Sequence, residues 1–244
     1  MRENLEKLKV GVIGAGWWAT SSHIPGIIQH EKAHLRAVQS RKKTKARQIA
    51  EDFGADLFFE DYRELILADN IDAVIVSSTP NMHFEEAKFA LEHGKHVLIE
   101  KPMTFTVEEA RVLCDLANEK QLQFLVSCPW HYTRHGVEAR QLIRNGVLGE
   151  VKMISILMTN PIDKLLKGIN TTPTHDADED VYVEPNPGTY SDPSIAGGGQ
   201  IYCQVSHVGA YLAFLTGAEP REVYGRFDYA GSAIDIYDAL TITM

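Results

Sequence analysis

Cysteine is scarce in this sequence, and the cysteines that occur lie far apart. The 244 residues include only Cys114, Cys128 and Cys203. Their spacing fits neither a zinc-binding motif nor the framework of a small disulfide-stabilised domain. We therefore expect a protein of the reducing cytoplasm, without a metal site built on thiolates.

Long apolar runs and an excess of positive charge are also missing. No stretch approaches the roughly 20 apolar residues that cross a bilayer, and the charged residues 1–10 contain no apolar signal segment. The net charge is −9 at pH 7, whereas surfaces that bind nucleic acid or anionic lipid concentrate Lys and Arg. We therefore expect neither a membrane nor a nucleic-acid partner. The 44% of hydrophobic and 23% of charged residues are typical of a globular protein with a substantial core.

The first motif that carries chemistry is a glycine-rich turn directly after a short apolar strand. Residues 9–13 (KVGVI) predict the strand, and residues 14–19 (GAGWWA) have the G-x-G-x-x-A form of the dinucleotide fingerprint. Gly14 permits the tight turn, and Gly16 lets the backbone approach a pyrophosphate at the start of the next helix. The cofactor-binding residues predicted from this motif are Gly14, Gly16, Trp17 and Trp18.

Strands and helices then alternate along the first half of the sequence. Further strands are predicted at residues 34–39, 72–77, 96–99 and 124–128. Thr106 and Glu109 form a capping box for one intervening helix. The spacing predicts that its inner face is Ala110, Leu113, Cys114 and Ala117. Alternation with short connections predicts an α/β fold, a doubly wound parallel sheet that forms a Rossmann domain over residues 1–128.

The strand at residues 96–99 ends in the charged pair Glu100 and Lys101, followed by Pro102. Open α/β sheets bind ligands at the carboxyl ends of their strands, where this pair would lie. A solvated charge pair would give the same pattern, because most charged residues are simply exposed. The glycine motif upstream favours the functional interpretation, since it gives the pair a cofactor to face.

The end of the second strand bears on which dinucleotide is bound. An acidic residue there would hold the adenosine ribose 2′-hydroxyl of NAD, but this sequence has Gln39, Ser40 and Arg41, followed by two lysines. Ser40 can hydrogen-bond a phosphate, and Arg41 can pair with a 2′-phosphate or stack on adenine. An ordinary basic turn before a helix is the alternative. The missing acid and the basic cluster together favour NADP over NAD.

These motifs resemble those of the Gfo/Idh/MocA oxidoreductases, the glucose-fructose oxidoreductase and inositol dehydrogenase family. The resemblance rests on KVGVIGAGWWA, on AVIVSSTPNMHFEEAKFALEHGKHVLIEKP, on NGVLGEV, and on a triple glycine at residues 197–199 that His207 follows eight residues later. It implies NAD(P)-dependent hydride transfer at a secondary alcohol of a sugar, polyol or cyclitol, by a homo-oligomer (dimer or tetramer) if the sheet is complete. Two alternatives are glycosidic bond cleavage with a tightly held NAD, and a non-enzymatic regulator that binds dinucleotide or sugar.

The resemblance also implies roles for individual residues. Lys101 would contact both the cofactor ribose and the substrate hydroxyl, and His207 would be the acid/base residue, as a near-neutral pKa suits. Other cofactor contacts are expected from Ser78, Thr79, Pro80, Asn81, His83 and Glu100. The substrate pocket is expected to include Lys101, Tyr132, Tyr202, Cys203 and His207.

One position departs from the family pattern. Many members carry an aspartate four residues before this histidine, and here that residue is Cys203. A thiol of ordinary pKa is a poor substitute for a carboxylate in proton transfer. The base is therefore His207 alone, or Lys101 with a tyrosine such as Tyr132 or Tyr202, and Cys203 is expected in the pocket wall.

The second half predicts an α+β domain over residues 129–244 with an open, mainly antiparallel sheet. Its strands are expected at residues 151–159, 222–227 and 239–244. Residues 171–180 (TTPTHDADED) contain His175, Asp176, Asp178 and Asp180, which could bind a divalent ion. Their composition favours a solvated loop without a metal, and we expect this loop to cover the substrate pocket as a lid or to serve as an interface arm. Proteins of the resembled family continue past residue 244, so we expect a truncated chain with an incomplete sheet.

Overall fold

The computed structural model describes residues 6–171 and 181–244. The chain forms two compact units. The first runs to Val126 and takes in a later segment that ends at Asn186, whereas the second begins at Ser127 and resumes at Pro187. The domain boundary expected after residue 128 stays a prediction.

The first unit is built on a six-stranded sheet in the order β3-β2-β1-β4-β5-β6. The strands are β1 (Leu8–Ile13), β2 (Ala33–Gln39), β3 (Leu57–Phe59), β4 (Ala73–Val76), β5 (His96–Ile99) and β6 (Phe124–Val126). Every neighbouring pair is parallel. The chain winds outwards from β1 through β2 and then returns to its other side at β4, which creates a switch point for ligand binding. The predicted doubly wound sheet is confirmed, although β3 was not predicted.

Helices pack on both faces of this sheet. A helical segment follows the glycine loop, first π-helical (Ala19–His23) and then α1 (Ile24–Gln29). The other helices are α2 (Lys43–Phe53), α3 (Tyr62–Leu67), a 3₁₀ turn (Pro80–Met82), α4 (His83–Glu92) and α5 (Val107–Glu119).

Two hydrophobic clusters fill the space between sheet and helices. Val74 and Val76 belong to one cluster with α3, α4 and α5, whereas Ile75 belongs to the other with α1 and α2. Successive side chains of a strand point to opposite faces, so this division follows from the alternation along β4. Burial of both faces explains why the strands read as continuous apolar runs.

The capping box predicted for α5 is present, with Thr106 and Glu109 each bonding the other's backbone N–H. Leu113 and Ala117 are buried on the inner face of α5, as predicted. Cys114 is exposed, so its assignment to that face was wrong. Adjacent helical residues point about 100° apart, and the buried stripe of α5 is too narrow to include both Leu113 and Cys114.

The second unit is mainly helical. After a 3₁₀ turn (Pro129–Tyr132) come α6 (Arg134–Arg144), α7 (Asp163–Leu166), α8 (Pro187–Ser191), α9 (Pro193–Ala196), α10 (Gln200–Cys203) and α11 (Val205–Thr216). The antiparallel hairpin β7 (Glu222–Asp228) and β8 (Tyr237–Thr243) follows. Both of its strands were predicted.

The prediction of a strand at residues 151–159 was wrong. These residues have no regular secondary structure, and Met153 and Leu157 are 84% and 91% exposed. A strand needs a hydrogen-bonded neighbour, and in the described part of the second unit β7 and β8 pair only with each other. All of the acidic segment except Thr171 lies outside the described residues. Among the described helices, none has the length and apolar character that a bilayer crossing requires.

Candidate functional site

The glycine loop of the first unit lies at the switch point, between the ends of β2 and β4. Gly14 has a φ of +75°, and a Cβ added to it would lie 2.4 Å from Ser78 Cα. Only glycine fits both the left-handed conformation and this close backbone approach. Above Gly16 there is open space, since an added Cβ would meet only the Gly14 carbonyl oxygen, at 3.8 Å. The loop is therefore fixed on one side and accessible on the other, as a phosphate site requires.

Gln39 anchors this loop from the last position of β2. Its Oε1 accepts the Gly14 N–H at 2.9 Å, and its Nε2 donates to the Glu60 carbonyl at 2.7 Å. Its own carbonyl accepts the Ala15 N–H at 2.8 Å. From the sequence, Gln39 was noted only because it stands where an NAD site would have an acidic residue. Its anchoring role was not predicted. The sequence feature that could have indicated this role is an amide side chain at the end of a buried strand, because a buried amide must find hydrogen-bond partners.

Glu100 connects β5 to the helix that follows the glycine loop. It is 7% exposed, and its Oε1 accepts from Trp18 Nε1 at 3.1 Å. The same oxygen lies 2.7 Å from His23 Nε2, and Glu100 Oε2 accepts the Lys101 N–H at 3.2 Å. The structure thus brings together three predicted residues, Trp18, Glu100 and Lys101. His23 was not predicted, and nothing in its local sequence indicated it.

His83 lies beneath the site. It is 1% exposed, with Nδ1 at 2.8 Å from the Pro102 carbonyl and Nε2 at 3.3 Å from the Ser78 carbonyl. Burial lowers the pKa of His83, so its imidazole is neutral near pH 7. A neutral ring has one N–H, so it donates to only one of these two carbonyls, and the shorter contact is the one with Pro102, directly after Lys101. Its packing suits positioning of that backbone, and its predicted contact with the cofactor stays a prediction.

The remaining predicted cofactor residues occupy the same edge of the sheet. Ser40 and Arg41 follow β2, with Ser40 half-buried and Arg41 exposed. Ser78, Thr79, Pro80 and Asn81 follow β4 and lead into α4. Ser78 and Glu86 of α4 are hydrogen-bonded, and Glu86 was not predicted. Among the described residues, no cluster of His, Cys, Asp and Glu could hold a metal ion.

The second unit holds His207 near the start of α11. The His207 ring stacks on the Trp130 ring, with centroids 5.5 Å apart and planes inclined by 28°. Cys203 ends α10, and its N–H donates to the Gly199 carbonyl at 2.9 Å. Tyr202 precedes it in α10, and Tyr132 is 73% exposed. Cooperation of His207 with Lys101 of the first unit stays a prediction.

The triple glycine before His207 is held by a buried aspartate that the sequence did not single out. Asp235 accepts the N–H groups of Gly199 and Ile201 at 2.9 and 2.7 Å. A Cβ on Gly199 would lie 1.9 Å from the Asp235 carbonyl oxygen, so the close approach requires glycine. Burial, and then the charge of Asp235, raise the pKa of Asp238 to about 7.

A parallel sheet with a glycine loop at its switch point defines the class of dinucleotide-binding Rossmann proteins. Residues 8–128 match the model of an oxidoreductase family with an NAD-binding Rossmann fold, and residues 137–244 match the GFO/IDH/MocA C-terminal domain. The chain therefore belongs to the Gfo/Idh/MocA oxidoreductase family, as its motifs predicted.

Similar proteins include a glucoside dehydrogenase, a 3-ketoreductase and an inositol dehydrogenase. The chain is 35% identical over 147 residues to D-glucoside 3-dehydrogenase from Escherichia coli, covering 59% of this chain and 41% of that protein. A 3-ketoreductase from Actinomadura kijaniata, solved with TDP-benzene and NADP, is 30% identical with a TM-score of 0.55, over 60% and 46% of the two chains. Apo scyllo-inositol dehydrogenase from Lactobacillus casei shares the fold at a TM-score of 0.77 and 19% identity, over 98% and 65%. The chain spans less than two thirds of the length of each of these relatives.

Proposed function

We propose that this chain binds NADP, or NAD less tightly, and belongs to an oxidoreductase that transfers hydride to or from a secondary alcohol of a sugar, polyol or cyclitol. The observation that carries the proposal is the glycine loop, which Gln39 and Ser78 hold rigidly while the space above Gly16 stays open. A backbone fixed in this way can present its N–H groups to a pyrophosphate. The name of the E. coli relative, a glucoside dehydrogenase, supports the substrate class.

Two residues carry the proposed chemistry. When bound, nicotinamide supplies or accepts the hydride. Lys101 stabilises the negative charge that develops on the reacting oxygen, because an ammonium at a desolvated site is most effective where charge forms. His207 holds or releases the hydroxyl proton at a ring nitrogen. Tyr132, Tyr202 and Cys203 line the substrate side.

The preference for NADP rests on Arg41 and Ser40. Arg41 is exposed at the end of β2 and can reach a 2′-phosphate. The A. kijaniata relative was solved with NADP, which supports the same assignment. We further propose a cytoplasmic location, from the cysteine content, and a homo-oligomeric assembly.

Nucleotide binding is the first test. Titration with NADPH and NADH, followed by fluorescence of the reduced nicotinamide, should show tighter binding of NADPH. Arg41→Ala should weaken NADPH binding by about tenfold or more and NADH binding little, because a charge-assisted contact is lost. Lys42→Ala removes the same charge one residue away and should leave the preference unchanged. Equal effects of the two variants would contradict the role of Arg41, and absence of all nucleotide binding would overturn the proposal.

A non-enzymatic regulator is the second candidate, because Cys203 stands where many family members carry a carboxylate. Lys101→Ala discriminates the two functions. In an enzyme it should abolish turnover on a panel of sugars and polyols while NADPH is still bound. In a regulator it should leave the only measurable property, ligand binding, nearly unchanged, and the unaltered protein should show no turnover.

A further inference from the structure

Glu86 is a buried carboxyl group that the proposed chemistry does not use. It lies on α4, which follows the loop after β4, and is 4% exposed. Its Oε2 accepts a hydrogen bond from Ser78 Oγ at 2.5 Å. Ser78 is also the residue whose backbone abuts Gly14. One hydrogen bond therefore separates this carboxyl group from the backbone that supports the glycine loop.

Charged groups act on Glu86 from three directions. Arg41, which follows β2, and Arg63, which lies on α3, both favour the ionised carboxylate electrostatically. Glu85, on α4 itself, disfavours it. The buried phenol of Tyr62, on α3, lies within electrostatic reach of Glu86 as well.

Burial is the largest of these influences, and it raises the pKa of Glu86 from 4.5 to about 7. The hydrogen bond from Ser78 opposes this rise, as do the two guanidinium groups, but without reversing it. Near neutral pH the carboxyl is thus divided between its protonated and ionised forms. Either form can accept from Ser78, so protonation changes the charge beside the loop while the hydrogen bond is kept.

We propose that Ser78 and Glu86 form a proton-linked element of the dinucleotide site, in which neutral Glu86 supports phosphate binding and ionised Glu86 opposes it. The proposal rests on the proposed dinucleotide function. A buried negative charge repels the phosphates at the glycine loop, and it also attracts Arg41, which is the group proposed to meet a 2′-phosphate. NADP carries that additional phosphate, so its binding depends more strongly on this proton than that of NAD. Glu86 is a positioning residue, because it acts through Ser78 and Arg41.

Linkage gives the expected effect. If bound phosphate favours neutral Glu86, the carboxyl must bind its proton more tightly in the complex, and binding of the cofactor takes up protons. A rise of about one pH unit in the pKa of Glu86 on binding corresponds to about tenfold weaker binding above this window than below it.

To test the proposal, the dissociation constants of NADPH and NADH are measured between about pH 6 and about pH 9. Glu86→Gln keeps the size of the side chain and an acceptor for Ser78 but cannot ionise. Glu85→Gln makes the same change at the neighbouring exposed position. Groups of the nucleotide titrate identically with all three proteins, and Glu85→Gln keeps the Glu86 proton, so a pH dependence that is lost in Glu86→Gln alone isolates Glu86. Calorimetry in buffers of different ionisation enthalpy measures the protons taken up.

The unaltered protein and Glu85→Gln should lose NADPH affinity by about tenfold as the pH rises, with a smaller loss for NADH. Glu86→Gln should keep the low-pH affinity throughout and take up fewer protons. Profiles of Glu86→Gln that coincide with those of the unaltered protein would overturn the proton linkage and leave the dinucleotide site intact. If none of the three proteins binds either nucleotide at any pH while circular dichroism shows them folded, the proposed function fails and the linkage fails with it.

Discussion

Glu86→Gln should stabilise the protein at pH 8 but not at acidic pH, whether or not a cofactor is present. Burial raises the pKa of this carboxyl from 4.5 to about 7. Between these values the folded protein holds a proton that the unfolded chain has released. The stability contribution is therefore fully present below about pH 4.5, falls as the pH rises, and is lost above about pH 7. Glutamine has no proton to lose and shows no such fall.

The size of the effect follows from the same pKa values. One pH unit of difference in pKa corresponds to about 1.36 kcal/mol, and about two units of the difference lie between pH 5 and pH 7. The free energy of unfolding of Glu86→Gln, relative to the unaltered protein, should thus increase by about 2 to 3 kcal/mol between pH 5 and pH 8.

Urea denaturation at several pH values measures this difference, with Trp17 and Trp18 as fluorescent reporters in the first unit. Glu85→Gln is the matched control, because it removes the same charge at an exposed position of the same helix. Because the Glu85 charge contributes to the raised pKa of Glu86, its stability curve should show the same fall as that of the unaltered protein, shifted slightly to lower pH. A constant difference between Glu86→Gln and the unaltered protein at all pH values would refute the titration of Glu86 in this window.

Three further predictions concern the supports of the two glycine loops. Gly14→Ala should lower the free energy of unfolding in urea by about 2 to 5 kcal/mol, because a left-handed φ and a backbone clash both oppose the methyl group. Gly26→Ala is the control and should cause no loss, since a Cβ there meets nothing within 4 Å. Equal losses of stability in the two variants would contradict the prediction. Gln39→Leu should cost about 1 to 3 kcal/mol by leaving buried partners unbonded and should weaken NADPH binding; unchanged denaturation midpoint and affinity would exclude the anchoring role. Asp235→Asn should lower the pKa of Asp238, whose rise is partly due to the Asp235 charge; an unchanged carboxyl titration by NMR would show that burial alone causes it.

The parallel sheet of the first unit could be predicted because its signals are local. Apolar strands of β1, β4 and β5 alternate with amphipathic helices, and Thr106 with Glu109 marks a helix start within four residues of sequence. The strand β3 was not predicted because it has only three residues, and all of them are half-buried at the edge of the sheet. Its place is determined by pairing with β2, which periodicity does not report.

The incorrect prediction of a strand at residues 151–159 arose in the opposite way, from a strong local signal without a pairing partner. Its sequence has the composition of a strand, but a strand exists only with a hydrogen-bonded neighbour, and the neighbour is a tertiary feature. The same limit explains the unpredicted polar residues. Gln39 bonds to Gly14 25 residues away, and Asp235 bonds to Gly199 36 residues away. Single residue types at such separations carry no periodic pattern that would identify them.

The first-unit site is held by buried polar side chains from three strands or the segments that follow them. Gln39 ends β2, Glu86 on α4 bonds to Ser78 after β4, and Glu100 follows β5. All three side chains are buried and hydrogen-bonded. A buried group that loses its partner keeps its full desolvation penalty, so removal of any of these partners alters folding stability together with cofactor binding. Arg41 is exposed and has no such penalty. If Arg41 sets the proposed preference for NADP, a change there alters stability only through its influence on the pKa of Glu86, whereas a change in the geometry of the glycine loop leaves buried groups unbonded.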